Sequence, residues 1–401
     1  MIKKIALGQL KIGMYINDLD KLWLKHPFEW QCFEVDNVDT LNIILKSGIA
    51  EIYIDTDLGA DTVSANASKA DTENVISESS TFIPDILIKR SPTEEFERAK
   101  NLYANANALM QNMMQDVRIG RQIQVDKYLP VVDNIFDSMF SAPSALLPLA
   151  QMKTRDEYTF QHSVSVAALS IAFGRVLNLP HTEIKELALG GLLHDVGKAK
   201  VPGKILNKPG KLNDAEYLVM KTHAANTSAL LTNTKNVSEI AFNAASQHHE
   251  RYDGTGYPLG LKGDEISLHG QMLAIVDVYD AITSIRVYHK GMPPTEALRK
   301  MFEWSGSHFN PRLVQAFIKG IGVYPAGSLV RMQSGKLGIV RELVPDKLLQ
   351  PIVQLIYDCK QMRHIAPYTV NLSAVDDKIK SHESFEKWGI NQALWHTAES
   401  R

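Results

Sequence analysis

Two neighbouring histidines open the segment that most restricts this chain: His248-His249-Glu250-Arg251-Tyr252-Asp253-Gly254-Thr255-Gly256-Tyr257-Pro258. A charged stretch follows them, then a turn punctuated by glycine. Upstream, Leu192-Leu193-His194-Asp195-Val196-Gly197-Lys198 ends an apolar run on an adjacent His-Asp pair. Together the two segments predict a metal site assembled from distant parts of one helical domain. It faces a loop shaped for a ligand, which points to a metal-dependent hydrolase.

Of 13 histidines, most lie between residues 142 and 325. Five sit on or beside predicted helices where an inward side chain fits: His162, His194, His223, His248 and His249. Asp195 and Asp277 add carboxylates. Imidazoles and carboxylates without cysteine suit Fe, Mn, Co or Zn and do not favour a thiolate-type structural zinc site. Adjacent residues on a helix point about 100° apart. His194 with Asp195, and His248 with His249, therefore reach two neighbouring cations better than one. Asp195 is the best placed bridge. His181, His269, His289 and His308 read as ordinary core or surface histidines.

The rest of the chain frames that domain. At 401 residues with 45% hydrophobic and 22% charged residues, it is long enough for several domains with a substantial core. A formal net charge of -2 gives no global attraction for a nucleic acid duplex or a membrane, so an anionic substrate needs local cations. Cys32 and Cys359 make no disulfide framework, and a cytoplasmic setting fits them. Met1-Ile2-Lys3-Lys4 begins like a signal peptide, but Gln9 and Lys11 interrupt any apolar core. No run reaches the roughly 18 apolar residues of a membrane span.

The expected fold class is multi-domain and mainly α. A small α+β accessory domain spans 1–92, with strands near Ile12–Ile16 and Glu51–Asp55, one helix and a polar linker near 61–80. A helical connector spans 93–141. In it Ala99, Tyr103, Ala106, Met110, Met113 and Val117 form one apolar stripe, read as packing on the chain's own domains, with a homodimer seam as the alternative. The all-helical metal-binding domain covers 142–325. A β-rich extension over 326–401 has strands near Ser328–Met332, Gly338–Arg341 and Ile352–Ile356, and ends in a helical stretch with Trp388 and Trp395.

Residues Tyr158 to Phe317 resemble the HD-GYP phosphodiesterases, all-helical HD-type enzymes that hydrolyse cyclic dinucleotides. The His-Asp pair is His194-Asp195, and Gly-Tyr-Pro is Gly256-Tyr257-Pro258. The longer signature His-His-Glu-x-x-Asp-Gly-x-Gly-Tyr-Pro-x-Gly-Leu-x-Gly is met from His248 to Gly263. The first 140 or so residues resemble the accessory domain often fused to such enzymes. The resemblance implies His162, His194, Asp195, His223, His248, His249 and Asp277 as metal ligands. It implies Lys198 at the scissile phosphate or its nucleophile, and Arg286, on the helix that carries Asp277, at a substrate phosphate. Some members hold a third metal through a glutamate where this chain has Tyr158, so two divalent cations are expected. Iron or manganese come first, with Co, Ni or Zn as alternatives. Ala224, Thr227, Val287 and Asn310 depart from the family pattern without removing a ligand.

The resemblance implies cleavage of cyclic di-GMP, 3′3′-cyclic GMP-AMP or both to a linear dinucleotide or on to mononucleotides. Two cations would activate the nucleophile and relieve phosphate charge. Tyr257 and Pro258 either meet a base or pack their own loop, and Lys198 alternatively pairs with a core carboxylate. Signalling partners would use the Gly-Tyr-Pro loop or the N-terminal domain. The rival readings are a non-catalytic cyclic-dinucleotide-binding module and an HD-type nucleotide phosphohydrolase. The first 140 residues offer only His26 as an imidazole, so a chain starting near Phe140, if soluble, is expected to keep the metal and some turnover.

Overall fold

The computed structural model describes residues 2–6, 9–18, 33–35, 38, 41, 51–56, 59–60, 92–141, 158–286, 289–344 and 347–391. Side chains are described for fewer; those of Tyr158 and of 285–290 are among the exceptions. The linker near 61–80, Cys32, His26, Val287 and Trp395 lie outside the described residues. Contacts divide the chain into two units, Met1–Thr81 and Phe82–Arg401.

In the first unit, β1 (Ile2–Ala6), β2 (Tyr15–Asp18), β3 (Phe33–Glu34) and β4 (Glu51–Asp55) form an antiparallel sheet in the order β1-β4-β2-β3. Alternation buries Ile5, Ile16, Ile52 and Ile54 on one face, where they meet Met14 and Val35. The strand expected over Ile12–Ile16 begins only at Tyr15. Gly13 turns at φ 89, and its amide donates to Val35 O at 2.7 Å, which takes this segment out of the ladder.

The second unit opens with α1 (Pro92–Arg118) and α2 (Leu129–Ser141). All six residues of the predicted stripe on α1 are buried. They pack into one core with Ile135 and Met139 of α2, Val164 and Ile171 of α3 (Tyr158–Val176), and Ile184 and Leu192 of α4 (His181–Leu193). The stripe therefore faces the chain's own core and is not a dimer seam. Tyr103 of α1 also donates to Gln161 O at 3.2 Å, next to His162.

The helical layer continues through α5 (Gly203–Leu206), α6 (Asp214–Thr232), α7 (Glu239–Gln247), α8 (Leu268–Thr283), α9 (Pro294–Glu303) and α10 (Pro311–Ile321). Local chemistry starts them where they start. Asn213 and Glu216 form a capping box on α6, Ser238 caps α7 and Ser267 caps α8. Asn310, noted as a family departure, caps α10 and donates to Gln271 Oε1 at 2.9 Å. A second apolar cluster joins Val166 and Phe173 of α3 to Met272 and Tyr279 of α8 and to Phe317 of α10.

α8 ends at Thr283, which corrects the expectation that Arg286 lies on the helix of Asp277. Thr283 Oγ1 donates to Tyr279 O at 2.7 Å, and Ser284 Oγ donates to Asp280 O at 2.6 Å. These hydroxyls take up late helix carbonyls, and Ser284 leaves the helix at φ -78, ψ 141. Arg286 instead belongs to β5 (Ile285–Arg286), paired with β6 (His289–Lys290).

A five-stranded antiparallel sheet closes the unit, ordered β10-β9-β8-β7-β11. Its strands are β7 (Leu329–Met332), β8 (Lys336–Glu342), β9 (Ile352–Asp358), β10 (Arg363–Asn371) and β11 (Ile379–Glu383). The last two escape the sequence reading because β10 is largely exposed and carries mixed polarity. The final helical stretch is, among the described residues, a single 3-10 turn over Glu386–Trp388.

Candidate metal centre

The ligand candidates come from five helices or helix ends. His162 lies on α3 and His223 on α6. His194 caps the C-terminus of α4 and His248 that of α7, each followed by its partner Asp195 or His249. Asp277 lies on α8. All seven side chains converge. Their donor atoms form three overlapping groups: His162, His194 and Asp277; His194, Asp195 and His248; and His223, His248 and His249. Within each, the atoms lie within 4.8 Å of one another.

Asp195 stands between the groups. Its Oδ2 is 3.3 Å from His194 Nε2 and 3.7 Å from His162 Nε2, while its Oδ1 is 3.4 Å from His223 Nε2. Asp277 Oδ1 reaches His162 Nε2 at 2.9 Å, and its Oδ2 lies 3.9 Å from His249 Nδ1. Both carboxylates thus present one oxygen to each side.

Hydrogen bonds orient the rings. The Nδ1 atoms of His194, His223 and His248 lie 2.7, 2.7 and 2.8 Å from the carbonyls of Gly191, Met220 and Ala245, each three residues back. A carbonyl only accepts, so Nδ1 carries the proton and donates. His162 Nδ1 makes the equivalent bond to Asp280 Oδ2 at 2.6 Å. In all four rings Nε2 is left to point inward.

The spacing of these inward atoms suits cations. His194 Nε2 and His162 Nε2 are 3.2 Å apart, and His249 Nε2 and His223 Nε2 are 3.0 Å apart. Two lone pairs this close repel unless a proton or a cation joins them. Imidazole nitrogens about 2.0–2.1 Å from one cation, at a right angle, are about 3 Å apart. His248 Nε2 and Asp195 Oδ1 are buried with no hydrogen-bond partner. Orphaned polar atoms in such a place are costly without a ligand.

The electrostatics agree. Burial holds His248 well below the ordinary histidine pKa and brings His249 down to about 3, so both rings stay neutral donors. Burial also lowers His223. Burial opposes charge on Asp195, but His194 and Lys198 outweigh it and keep that carboxyl well below its usual range. Asp277 behaves alike, with the His162 contact outweighing burial.

Lys198 Nζ lies 2.5 Å from Asp195 Oδ2. Its partner is a core carboxylate, and that carboxylate belongs to the cluster. The turn carrying both is pressed on α6. A Cβ on Gly197 would stand 2.0 Å from His223 O and 2.6 Å from Thr227 N, so only glycine fits. Thr227 Oγ1 accepts from Gly197 N at 3.0 Å and donates to His194 O at 2.9 Å. The sequence reading passed over Thr227 as a departure and missed Asp280, although Asp280 sits three residues after Asp277 on the same helix face.

The Gly-Tyr-Pro loop folds back over the cluster. Glu250 is buried and accepts from Leu259 N at 2.7 Å and Leu261 N at 3.1 Å. Gly256 must be glycine, since a Cβ there would lie 2.3 Å from Arg251 N. Tyr257 N donates to His249 O at 3.1 Å, and the Tyr257 ring lies 4.7 Å from the His249 ring. Burial raises the Tyr257 phenol, which stays protonated. Pro258 follows through a cis peptide bond. His181, His269 and His308 stay outside the cluster: His181 packs on Phe136 and Phe140, His269 pairs with Glu183, and His308 lies against Trp304.

Known proteins resemble the chain along its length. A family model described as "HD domain" matches residues 145–313, and "Domain of unknown function (DUF3391)" matches residues 2–128. "Cyclic di-GMP phosphodiesterase PA4108" of Pseudomonas aeruginosa is 40% identical over 394 residues, covering 97% of this chain and 94% of that protein. "3'3'-cGAMP-specific phosphodiesterase 1" of Vibrio cholerae is 40% identical over 157 residues, 39% of this chain and 36% of that one. A "Cyclic di-GMP phosphodiesterase" of Thermotoga maritima is 36% identical over 166 residues, 41% of this chain and 45% of that one. No helix among the described residues is long and apolar enough to cross a membrane. The end-to-end relative, read with the His-Asp pair and the Gly-Tyr-Pro loop, places this chain in the HD-GYP family of cyclic-dinucleotide phosphodiesterases, with an accessory domain ahead of the HD domain.

Proposed function

We propose that His162, His194, Asp195, His223, His248, His249 and Asp277 hold two divalent cations. The chain then hydrolyses cyclic di-GMP, 3′3′-cyclic GMP-AMP or both to a linear dinucleotide. The observation that carries this reading is the place of Asp195, with Oδ2 3.3 Å from His194 Nε2 and Oδ1 3.4 Å from His223 Nε2. One carboxylate facing two donor groups is what a paired-cation site requires. All-N/O donors favour iron or manganese, with Co, Ni or Zn admitted by the same set.

When bound, a cation pair supplies an activated nucleophile and charge relief on the phosphoryl oxygens. The chain's own residues do the rest. Asp195 and Asp277 keep the site anionic, and the four Nδ1 bonds hold the rings in register. Lys198 is placed to turn from Asp195 to the reacting phosphate, where its charge counts more as negative charge builds. Tyr257 packs its ring over that of His249 and holds it against the cluster. Gly256 and Pro258 shape the loop that meets the substrate, and Arg286 contributes its cation to a phosphate. Water adds across one P–O ester bond, and one proton ends on the released sugar hydroxyl.

We assign the accessory domain to 1–92, a connector to 93–141, the catalytic domain to 142–325 and a β-rich extension to 326–401. The setting is cytoplasmic. Signalling partners dock on the Gly-Tyr-Pro loop or on the accessory domain. A homodimer would need a face other than the α1 stripe, which is buried. Chromatography of products after incubating metal-loaded protein with each cyclic dinucleotide tests the reading. Linear dinucleotide is the expected product, and no turnover of either substrate refutes it.

A further inference from the structure

Lys221 stands one turn after Tyr217 on α6, on the same helix face. Its ammonium lies 5.0 Å from the Tyr217 ring centroid and 5.1 Å from that of Tyr257. Tyr257 in turn lies 4.7 Å from the ring of His249 and 6.5 Å from that of His223. Tyr257 is therefore the common neighbour of the metal cluster and of Lys221.

The charge balance of Lys221 differs from that of the two paired lysines nearest the cluster and α6. Lys198 and Lys208 each hold a carboxylate at 2.5 Å. Among the described residues Lys221 has no carboxylate partner, although it is half-buried. Its contacts are ring faces. These hold a cation in place without neutralising it. An ammonium held this way beside the loop over the cluster is organised for an anion from outside.

The proposed substrate carries two phosphodiesters. Only one can react at the cluster at a time, and the other brings a full negative charge into a chain whose net charge is -2. We propose that Lys221, held between Tyr217 and Tyr257, binds the second, non-reacting phosphate of the cyclic dinucleotide. It thereby selects doubly charged rings over single phosphodiesters. This inference rests on the reading under Proposed function.

Steady-state kinetics of the full metal-loaded chain test it, with cyclic di-GMP and with bis(p-nitrophenyl) phosphate, which has one phosphate. Lys221→Ala is expected to raise KM for cyclic di-GMP at least about tenfold, the scale of a hydrogen bond to a charged group. The fall in kcat should be smaller. The ratio of kcat/KM for cyclic di-GMP to that for bis(p-nitrophenyl) phosphate should fall by a similar factor. Metal content should match wild type, and Lys221→Arg should recover much of the loss. Tyr217→Ala should move KM the same way, and Tyr217→Phe, which keeps the ring face, should not. An equal loss on both substrates, or loss of metal, would show that Lys221 only props the Gly-Tyr-Pro loop and would overturn the proposal. A wild type that cleaves cyclic di-GMP while Lys221→Ala matches it sinks the Lys221 assignment alone. A wild type that cleaves no cyclic dinucleotide sinks the functional reading, and this one with it.

Discussion

Asp280 Oδ2 accepts a 2.6 Å hydrogen bond from His162 Nδ1, so a carboxylate outside the ligand set decides which nitrogen of His162 faces the cluster. Such outer partners orient a ligand ring and raise its basicity. Asp280→Ala is expected to weaken metal binding roughly 10–100-fold. Asp280→Asn, which keeps an acceptor oxygen, should lose less. Metal titration with a competing chelator checks this, and unchanged affinity in a folded Asp280→Ala protein would show that His162 needs no such partner.

Asp195 faces both donor groups, and its loss would divide them. Asp195→Ala is expected to lower kcat by roughly 10²–10³-fold or more. The fold should survive, because the helices that carry the cluster are held together by their own apolar cores. Product chromatography alongside a thermal melt measures both, and full turnover in the folded variant would move the reaction centre elsewhere.

A chain starting near Phe140 carries every candidate ligand but lacks part of the core beneath them. Ala99, Met110, Met113, Ile135 and Met139 are part of the core that holds α3 and α4, which carry His162 and His194. Removing several such residues, at about 2–5 kcal/mol each, exceeds the whole stability of a typical domain. A chain starting at Phe82 should unfold cooperatively and bind metal. One starting at Phe140 should be insoluble or lack a cooperative transition. Denaturant unfolding of the two distinguishes them, and a stable, metal-loaded chain from Phe140 would contradict this account of the core.

Acid should weaken the C-terminal sheet through Glu383. Burial raises its pKa, but hydrogen bonds from Lys387, Trp388 and Ser381 outweigh burial and bring it from 4.5 down to about 2. A carboxyl depressed in the folded state stabilises above its unfolded pKa, and that contribution fades as pH falls through the folded value. The loss should therefore run from about pH 4.5 towards pH 2. Trp388 Nε1 donates to Glu383 Oε2 at 2.9 Å, so its fluorescence is the probe. Glu383→Gln should be less stable at neutral pH and flatter with pH across that window; identical profiles would remove Glu383 from the acid response.

The ligand set was legible in the sequence because metal coordination admits few donor types. Three of the five histidines and one aspartate also lie in adjacent pairs, His194-Asp195 and His248-His249. The apolar stripe of α1 was legible because burial repeats with the helical period. Which nitrogen each ring presents was not, because carbonyls such as Gly191 O and a carboxylate on another helix decide it. Nor was the end of α8, where Thr283 and Ser284 hydroxyls compete for backbone carbonyls and carry Arg286 off the helix. Strands β10 and β11 depend on long-range pairing with β9 and β7, so their mixed polarity alone could not announce them. The neighbourhood of Lys221 and Tyr257 is likewise tertiary: the Gly-Tyr-Pro loop must first fold over α6, held there by Glu250 and by the close approach at Gly256. Sequence specifies chemistry wherever a function restricts residue type. Tertiary structure decides orientation and pairing, because those depend on groups distant along the chain.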